Sequence, residues 1–391
     1  MSTMDGLLFT VLVAAVAIGF FLGRRSRRGQ APTVHAAAHD RYLEGLRHLL
    51  NEQPDAAIDA LVTELDINQD TVEMYFALGA LWRRKGEMDR AIRVHQALLS
   101  NSALTPQQMQ QAQLELALDY THSGLLDRSE VLLRELASAA SPAIQQAAGR
   151  ELVLVYQAGQ DWEKAIAAVD ELCNKLAPPD KPSWRHFQAH YCCELAERVL
   201  DGVDWNRSDL SINGIQPPPD KVRPFNMWLQ RALNSSPGHP RALLLLSLLA
   251  IGGGGQHSAR AALQSIQLEP GFAMVAVPLI LKAVGCEEGV WQKVEDLYQK
   301  SREVGLIPHL VELRYRVSSA QAARDFLIQE LQRQEGYQSL AHLLSAVGAS
   351  LAYEPLRSVL HEVLPLRFVC DHCGFYGRQF YWSCPSCKTW L

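Results

Sequence analysis

Residues 77–99 read ALGALWRRKGEMDRAIRVHQALL, two helix-length amphipathic runs parted by a glycine. Gly79 and Ala91 are small and stand twelve positions apart, with Trp82 one turn beyond the first and Gly86 between the runs. A small residue on each helix lets the two backbones approach closely, and the aromatic fills the groove beside them. The glycine supplies the left-handed residue that ends the first helix. The same offset recurs along the chain. Gly45 precedes Ala57 by twelve positions, and Gly45 lies 34 residues before Gly79. Ala117 lies 38 residues after Gly79 and is followed by Tyr120, Gly124 and Ser129; Val153, Tyr156, Asp161, Trp162 and Ala165 form the next copy.

This pattern resembles the tetratricopeptide repeat, a helix-turn-helix unit of about 34 residues. It predicts an all-α array over residues 39–364, with about eight or nine helical hairpins from length alone. Later copies are weaker: Ala232 with Pro237, then Ala261 or Ala262 with Pro270, the prolines standing where a helix must end. Such an array offers a concave groove to peptides or helices of other proteins. Two interruptions are visible. Pro178-Pro179 and Pro217-Pro218-Pro219 bracket a segment that departs from the repeat, and Asp201–Val222 within it reads as a turn-rich loop. Gly252–Gly255 lacks the Lys-Ser or Lys-Thr of a phosphate cradle, because Gln256-His257 follows. It reads instead as a turn inside one hairpin.

The 391 residues carry a net charge of −5, with 48% hydrophobic and 20% charged residues. These values exclude wholesale disorder. Eight cysteines in 391 residues are too few for a disulfide scaffold. The mild acidity argues against a nucleic-acid-holding chain.

Gly6–Gly23 (GLLFTVLVAAVAIGFFLG) is eighteen residues without a charge, followed by Arg24, Arg25, Arg27 and Arg28. A helix of that length rises about 27 Å, close to the hydrocarbon thickness of a bilayer. The basic cluster follows the apolar run rather than preceding it, which favours an uncleaved anchor with a cytoplasmic body. The expected divisions are a transmembrane anchor at 1–23, a basic linker at 24–38, the repeat array at 39–364 and a metal-binding knuckle at 365–391. Leu243–Ile251 is apolar but half the spanning length, so a buried core helix is expected there.

The chain closes with RFVCDHCGFYGRQFYWSCPSCKTWL, in which Cys370-x-x-Cys373 and Cys384-x-x-Cys387 stand ten residues apart. Each CxxC turn aims two sulfurs at one ion, and two facing turns complete a tetrahedral four-sulfur site suited to iron or zinc. About twenty-five residues are too few to fold without such a staple, so one structural metal ion with closed coordination is expected. Gly374 supplies a left-handed residue, Pro385 stiffens the second turn, Phe380-Tyr381-Trp382 reads as a short strand, and His372 points away from the ion. Elsewhere, His186, His190 and Glu194 recur every four residues on a predicted helix beside Cys192 and Cys193. Helical repeats place polar residues at such spacing by default, and residue 187 is Phe where a zincin has Glu, so a plain helix face is preferred to a metal site. Cys173 and Cys286 read as small packed hydrophobes.

An anchor ending in Gly23-Arg24-Arg25, the helical repeats, the segment Tyr191-Cys192-Cys193-Glu194-Leu195-Ala196 and the terminal knuckle stand in one order. With Cys370-Asp371-His372-Cys373-Gly374-Phe375 and Tyr381-Trp382-Ser383-Cys384-Pro385-Ser386-Cys387, that order resembles the lipopolysaccharide assembly protein B family of Gram-negative bacteria. The resemblance implies a non-enzymatic adaptor on the cytoplasmic face of the inner membrane, held by one span. It implies that the lipid A deacetylase is presented as client to the membrane AAA+ protease FtsH, which restrains lipopolysaccharide synthesis. It also implies a rubredoxin-like knuckle that packs back and locks the C-terminal repeats. Lipopolysaccharide, other assembly proteins and a second copy of the chain in a homodimer complete the implied partners; nucleic acid is not among them. Three alternatives stand beside this: a rubredoxin-like electron carrier, a zinc-ribbon nucleic-acid binder with Arg367, Arg378 and Lys388, and a repeat scaffold for another envelope-biogenesis complex.

Overall fold

The computed structural model describes residues 71–100, 104–139, 141–205, 214–284, 288–347, 359–364 and 367–391. The apolar stretch Gly6–Gly23, the basic linker, the first repeat copy at Gly45 and Ala57, and Cys286 lie outside them. No helix among the described residues is long and apolar enough to cross a membrane. The chain divides into two compact units, Met1–Glu151 and Leu152–Leu391.

In the first unit, α1 (Val72–Lys85), α2 (Met88–Leu99), α3 (Pro106–His122) and α4 (Leu126–Ala139) follow one another, and α5 (Pro142–Ala158) begins there. Consecutive helices of α1–α4 pack together and α1 also touches α3, so one hairpin stacks on the next. Each hairpin turn uses the expected chemistry. Gly86 has φ 81°, and the N–H of Glu87 reaches back to the Trp82 carbonyl at 3.0 Å. Gly124 (φ 75°) repeats this through Leu125 and Tyr120 at 2.8 Å. The same bond recurs from Asp161 to Tyr156 at 2.9 Å, but there the left-handed residue is Gln160, φ 55°. The small positions Ala91, Ala117, Ser129, Val153 and Ala165 are fully buried, and Trp82, Tyr120 and Tyr156 are buried beside them.

Gly79 is small for a reason particular to this chain. A Cβ there would lie 2.3 Å from Nε2 of His95, whose ring occupies the space between α1 and α2. His95 Nδ1 is bonded to the buried Asp119 carboxylate at 2.5 Å, and Arg83 donates to the other oxygen of Asp119 at 2.7 Å and to Glu115 at 2.7 Å. One carboxylate from α3 thus ties the α1–α2 hairpin to the next.

The second unit continues through α6 (Trp162–Lys175), α7 (Lys181–Val199), α8 (Pro219–Ser235), α9 (Pro240–Gly252), α10 (Gln256–Ser265), α11 (Pro270–Ala283), α12 (Glu288–Ser301), α13 (Ile307–Val317), α14 (Ala320–Arg333) and α15 (Gln338–Val347). The described residues thus hold seven helix pairs and one further helix of tetratricopeptide-like kind. Proline opens α3, α8, α9 and α11, where its missing N–H costs nothing. Pro270 therefore starts a helix instead of ending one; Pro237 does lie in the turn after α8. Ala262 is the buried member of the last small pair, while Ala261 is exposed.

The proline-bracketed segment keeps the hairpin. Pro178-Pro179 form a single 3-10 turn, and α7 packs along both α6 and α8. The turn-rich stretch is an insertion inside the α7–α8 pair, and its end from Pro219 is helical. Its return leg lies tightly on α9. A Cβ at Gly214 (φ 61°) would sit 2.3 Å from the Leu248 carbonyl, Ile215 N–H donates to that carbonyl at 2.9 Å, and a Cβ at Gly252 would sit 2.1 Å from the Ile215 oxygen. The four-glycine run is the turn between α9 and α10, as expected, and Gly252 serves this close approach while Gly254 (φ 76°) ends the helix. Leu243–Ile251 lies in α9, with Leu243, Leu244, Leu245 and Leu248 buried.

Two apolar clusters lie in the later part of this unit. Helices α13–α15 and Leu360–Leu364 build one, which Ala273, Val277, Val294 and Leu297 join. Helices α9–α11 build the other, and the closing segment of the chain joins it through Phe368, Phe380 and Trp382.

The two glycines of the first hairpin should respond differently to alanine. Gly79→Ala overpacks His95 and is expected to cost about 1–3 kcal/mol. Gly86→Ala meets open space and bears only the left-handed backbone penalty, about 1–2 kcal/mol. In a His95→Ala background the cost of Gly79→Ala should vanish while that of Gly86→Ala persists, as read by differences in urea midpoint.

A four-cysteine knuckle docked on the central helices

The closing segment is built from two similar turns. Strand β1 (Phe368–Val369) pairs antiparallel with β2 (Tyr376–Gly377), in register Phe368–Gly377 and Val369–Tyr376. At the first turn, Cys370 N–H donates to Phe375 O and Gly374 N–H donates to Cys370 O, both at 2.8 Å. At the second, Cys384 N–H donates to Thr389 O and Lys388 N–H donates to Cys384 O, both at 2.9 Å. Gly374 has φ 72° and Lys388 has φ 60° in the matching place. Glycine at 374 was legible as a left-handed residue; a lysine in the same role carries no such signal. Phe380–Trp382 is not a strand. Its backbone runs between the turns while Phe380 and Trp382 are buried in the helical core, and the short ladder flanks the first turn instead.

The turns bring the four sulfurs together. Cys370 and Cys387 are 3.6 Å apart, as are Cys373 and Cys384, and all four lie within 4.8 Å of one another. A tetrahedron with metal–sulfur bonds of about 2.3 Å has edges of about 3.8 Å, so these residues fit one ion. Cys370 and Cys384 are buried and Cys373 is exposed. The Thr389 hydroxyl beside Cys387, helped by its backbone, holds that thiol below the usual thiol range. His372 is exposed and outside the cluster.

Among the described residues, the knuckle folds back onto α7, α9 and α11, where its aromatic faces find their partners. Trp390 stacks on His190 with ring centroids 4.8 Å apart and meets Trp162 and Tyr191 edge-on, both at 6.1 Å. Trp382 lies near Phe272 at 6.2 Å and takes the edge of Trp205, from the insertion, at 5.3 Å. Gln157 Nε2 donates to Lys388 O at 3.4 Å, and the His190 ring meets Leu391 O at 2.9 Å. A Cβ at Gly271 would press Leu391 at 3.1 Å, so the start of α11 is bare where the tail lies.

Arg241 is the polar centre of this dock. Only 2% exposed, it sits 5.5 Å from the Trp382 ring and 5.7 Å from the Trp390 ring. Its guanidinium pairs with Glu194 at 2.8 Å and Glu197 at 2.7 Å. Burial would favour the neutral form, but the two carboxylates outweigh it and keep the guanidinium charged. Glu197 is itself pushed up by burial and drawn back by Arg241, and it accepts from Trp205 Nε1 at 3.2 Å.

The spaced residues of α7 separate here. Glu194 serves Arg241, while His186 and His190 are joined by His239 at the start of α9. The face they form is partly buried, with His186 half-buried and His190 fully so, and His239 beside them has 1% exposure. Burial, with His239, Arg241 and His186 adding, pushes His190 well below the usual imidazole range. Burial chiefly pushes His239 down to about 2. His239, Arg241 and Trp205 had no sequence signal, since nothing local marks their distant partners. Cys173, Cys192 and Cys193 are buried, and burial raises the Cys192 thiol to about 12, as packed small hydrophobes require.

Residues 368–390 match the family model described as a rubredoxin metal binding domain. The chain is 29% identical to lipopolysaccharide assembly protein B of Escherichia coli (strain K12), over 98% of this chain and 96% of that protein. It is 26% identical to lipopolysaccharide assembly protein B of Haemophilus influenzae, over 98% of this chain and 96% of that protein. Among solved structures, a tetratricopeptide repeat protein from Parabacteroides merdae is similar at 12% identity and a TM-score of 0.35, over 70% of this chain and 97% of that one.

Arg241→Ala leaves Glu197 buried without its partner and is expected to destabilise the second unit by about 3–5 kcal/mol. Near-ultraviolet circular dichroism of the tryptophans should weaken, and protease should cut ahead of Phe368. Lys221→Ala, at an exposed ion pair with Asp201, should leave both readings unchanged.

Proposed function

The chain belongs to the lipopolysaccharide assembly protein B family, and from that membership we propose that it acts in lipopolysaccharide assembly as a non-catalytic adaptor. The apolar stretch Gly6–Gly23 holds it in the inner membrane with the body on the cytoplasmic side. The helical array takes the lipid A deacetylase as client and presents it to FtsH for degradation, which restrains lipopolysaccharide synthesis. Cys370, Cys373, Cys384 and Cys387 hold one structural metal ion, zinc or iron. Four thiolates close its coordination and leave no position for a substrate, so the ion staples the knuckle.

The observation that carries this reading is the knuckle's placement. A segment that gathers four sulfurs is folded onto the helical core, touching α7, α9 and α11 together. That is the construction of a binding scaffold. The end-to-end correspondence with two proteins of one name supports the choice of pathway.

The test is the half-life of the lipid A deacetylase in cells with and without this chain. Depletion should lengthen it severalfold. The native chain should restore turnover, and Cys370→Ser/Cys373→Ser should lose the knuckle's metal and fail to restore it. An unchanged half-life would remove the client and protease from the reading. A second reading, one-electron transfer through iron in the same four sulfurs, draws on the exposure of Cys373. Zinc as the sole metal of the purified chain would eliminate it.

A further inference from the structure

Three imidazoles meet beside the docked knuckle, apart from the four sulfurs. His186 and His190 project from one face of α7, and His239 stands at the start of α9. One nitrogen of each lies within 4.8 Å of one nitrogen of the others, with ring centroids 5.0, 4.6 and 4.3 Å apart. We propose that His186, His190 and His239 form a second metal site, taking zinc or a divalent cation of similar ligand preference.

The hydrogen bonds prepare the rings for it. His190 Nε2 donates to the Leu391 backbone oxygen at 2.9 Å, which leaves the Nδ1 lone pair available as a ligand. That Nδ1 is buried and has no partner among the described residues. A hydrogen bond from the far nitrogen to a carbonyl is what normally orients a metal-ligating imidazole. His239 Nε2 is likewise buried without a partner. Its Nδ1 accepts the N–H of Ala242 at 3.4 Å, so ligation through Nε2 moves a proton to Nδ1 and exchanges that long cap bond for the metal bond. Burial keeps the imidazoles neutral, which is the form that ligates.

Charge and size agree. Arg241 is close, but Glu194 and Glu197 outnumber its charge, and Glu269 acts on His186 with the sign that favours a cation. An ion with bonds of about 2.0–2.1 Å sets tetrahedral nitrogens about 3.3–3.4 Å apart, so the cluster closes by a small turn of a ring. His186 is only half-buried and can make that turn, and it leaves a route for the ion. Neutral imidazoles select zinc, copper or nickel over magnesium or calcium. Filled, the site would clamp α7 to α9 and, through His190, hold the Leu391 tail.

The test uses the full chain in detergent with the knuckle already loaded with zinc. Equilibrium dialysis against buffered ZnCl2, read by elemental analysis, should give two zinc ions per chain for the native protein. His186→Gln should give one, and His257→Gln, at an exposed histidine, should give two. CoCl2 added to the loaded native chain should produce cobalt d–d absorption without thiolate charge transfer, and His186→Gln should abolish it. One equivalent in the native chain with no cobalt band overturns the proposal, and so does a second equivalent that survives His186→Gln. Should His186→Gln misfold, the native stoichiometry and cobalt spectrum still decide.

Discussion

A charged guanidinium held out of water governs the second unit. Stripping water from an ion costs several kcal/mol, so Arg241 can stay buried only if every face is occupied. Glu194 and Glu197 of α7 supply the countercharge, and Trp382 and Trp390 of the knuckle supply the ring faces. Helix, helix and knuckle are thereby set in one arrangement. Remove the knuckle and the guanidinium loses its cover; remove the carboxylates and the knuckle rests on an unpaired charge.

The insertion between α7 and α8 belongs to the same arrangement. Repeat hairpins need only a tight turn, and this one carries a long connection instead. That connection brings Trp205 against Trp382 and Phe380 and sends Trp205 Nε1 to Glu197. It then returns along α9, where Gly214 and Gly252 permit backbone to touch backbone. The departure from the repeat is how the knuckle's dock is closed on one side. In the first unit a buried carboxylate, Asp119, does comparable work, joining successive hairpins through His95 and Arg83.

Much of the architecture was readable from short spacings. The twelve-residue offset of small residues located the hairpins, and the glycines at 86, 124 and 254 located three turns. Gln160 hides the fourth, because a glutamine in a left-handed position looks like any other glutamine. The two CxxC turns named all four sulfurs. The strand expected at Phe380–Trp382 failed because a run of aromatics was read as strand, whereas Phe380 and Trp382 pack into the helical core without pairing in a ladder. His186, His190 and Glu194 were read together as one helix face, but the partner of Glu194, Arg241, lies on another helix.

Features that depend on neighbours within a turn or a hairpin were legible in the chain: helix faces, turn glycines, opening prolines and the aim of each CxxC pair. Those follow from the 3.6-residue period and from backbone conformations that few residues adopt. Where the knuckle docks, why Gly79 must be small, and which histidine completes the α7 pair were decided only by tertiary structure. His190 and the Leu391 oxygen it bonds are 201 positions apart, and a contact at that separation leaves no periodicity to read. It exists because a buried charge and bare aromatic faces had to be covered, and folding alone determines which surfaces come close enough to cover them.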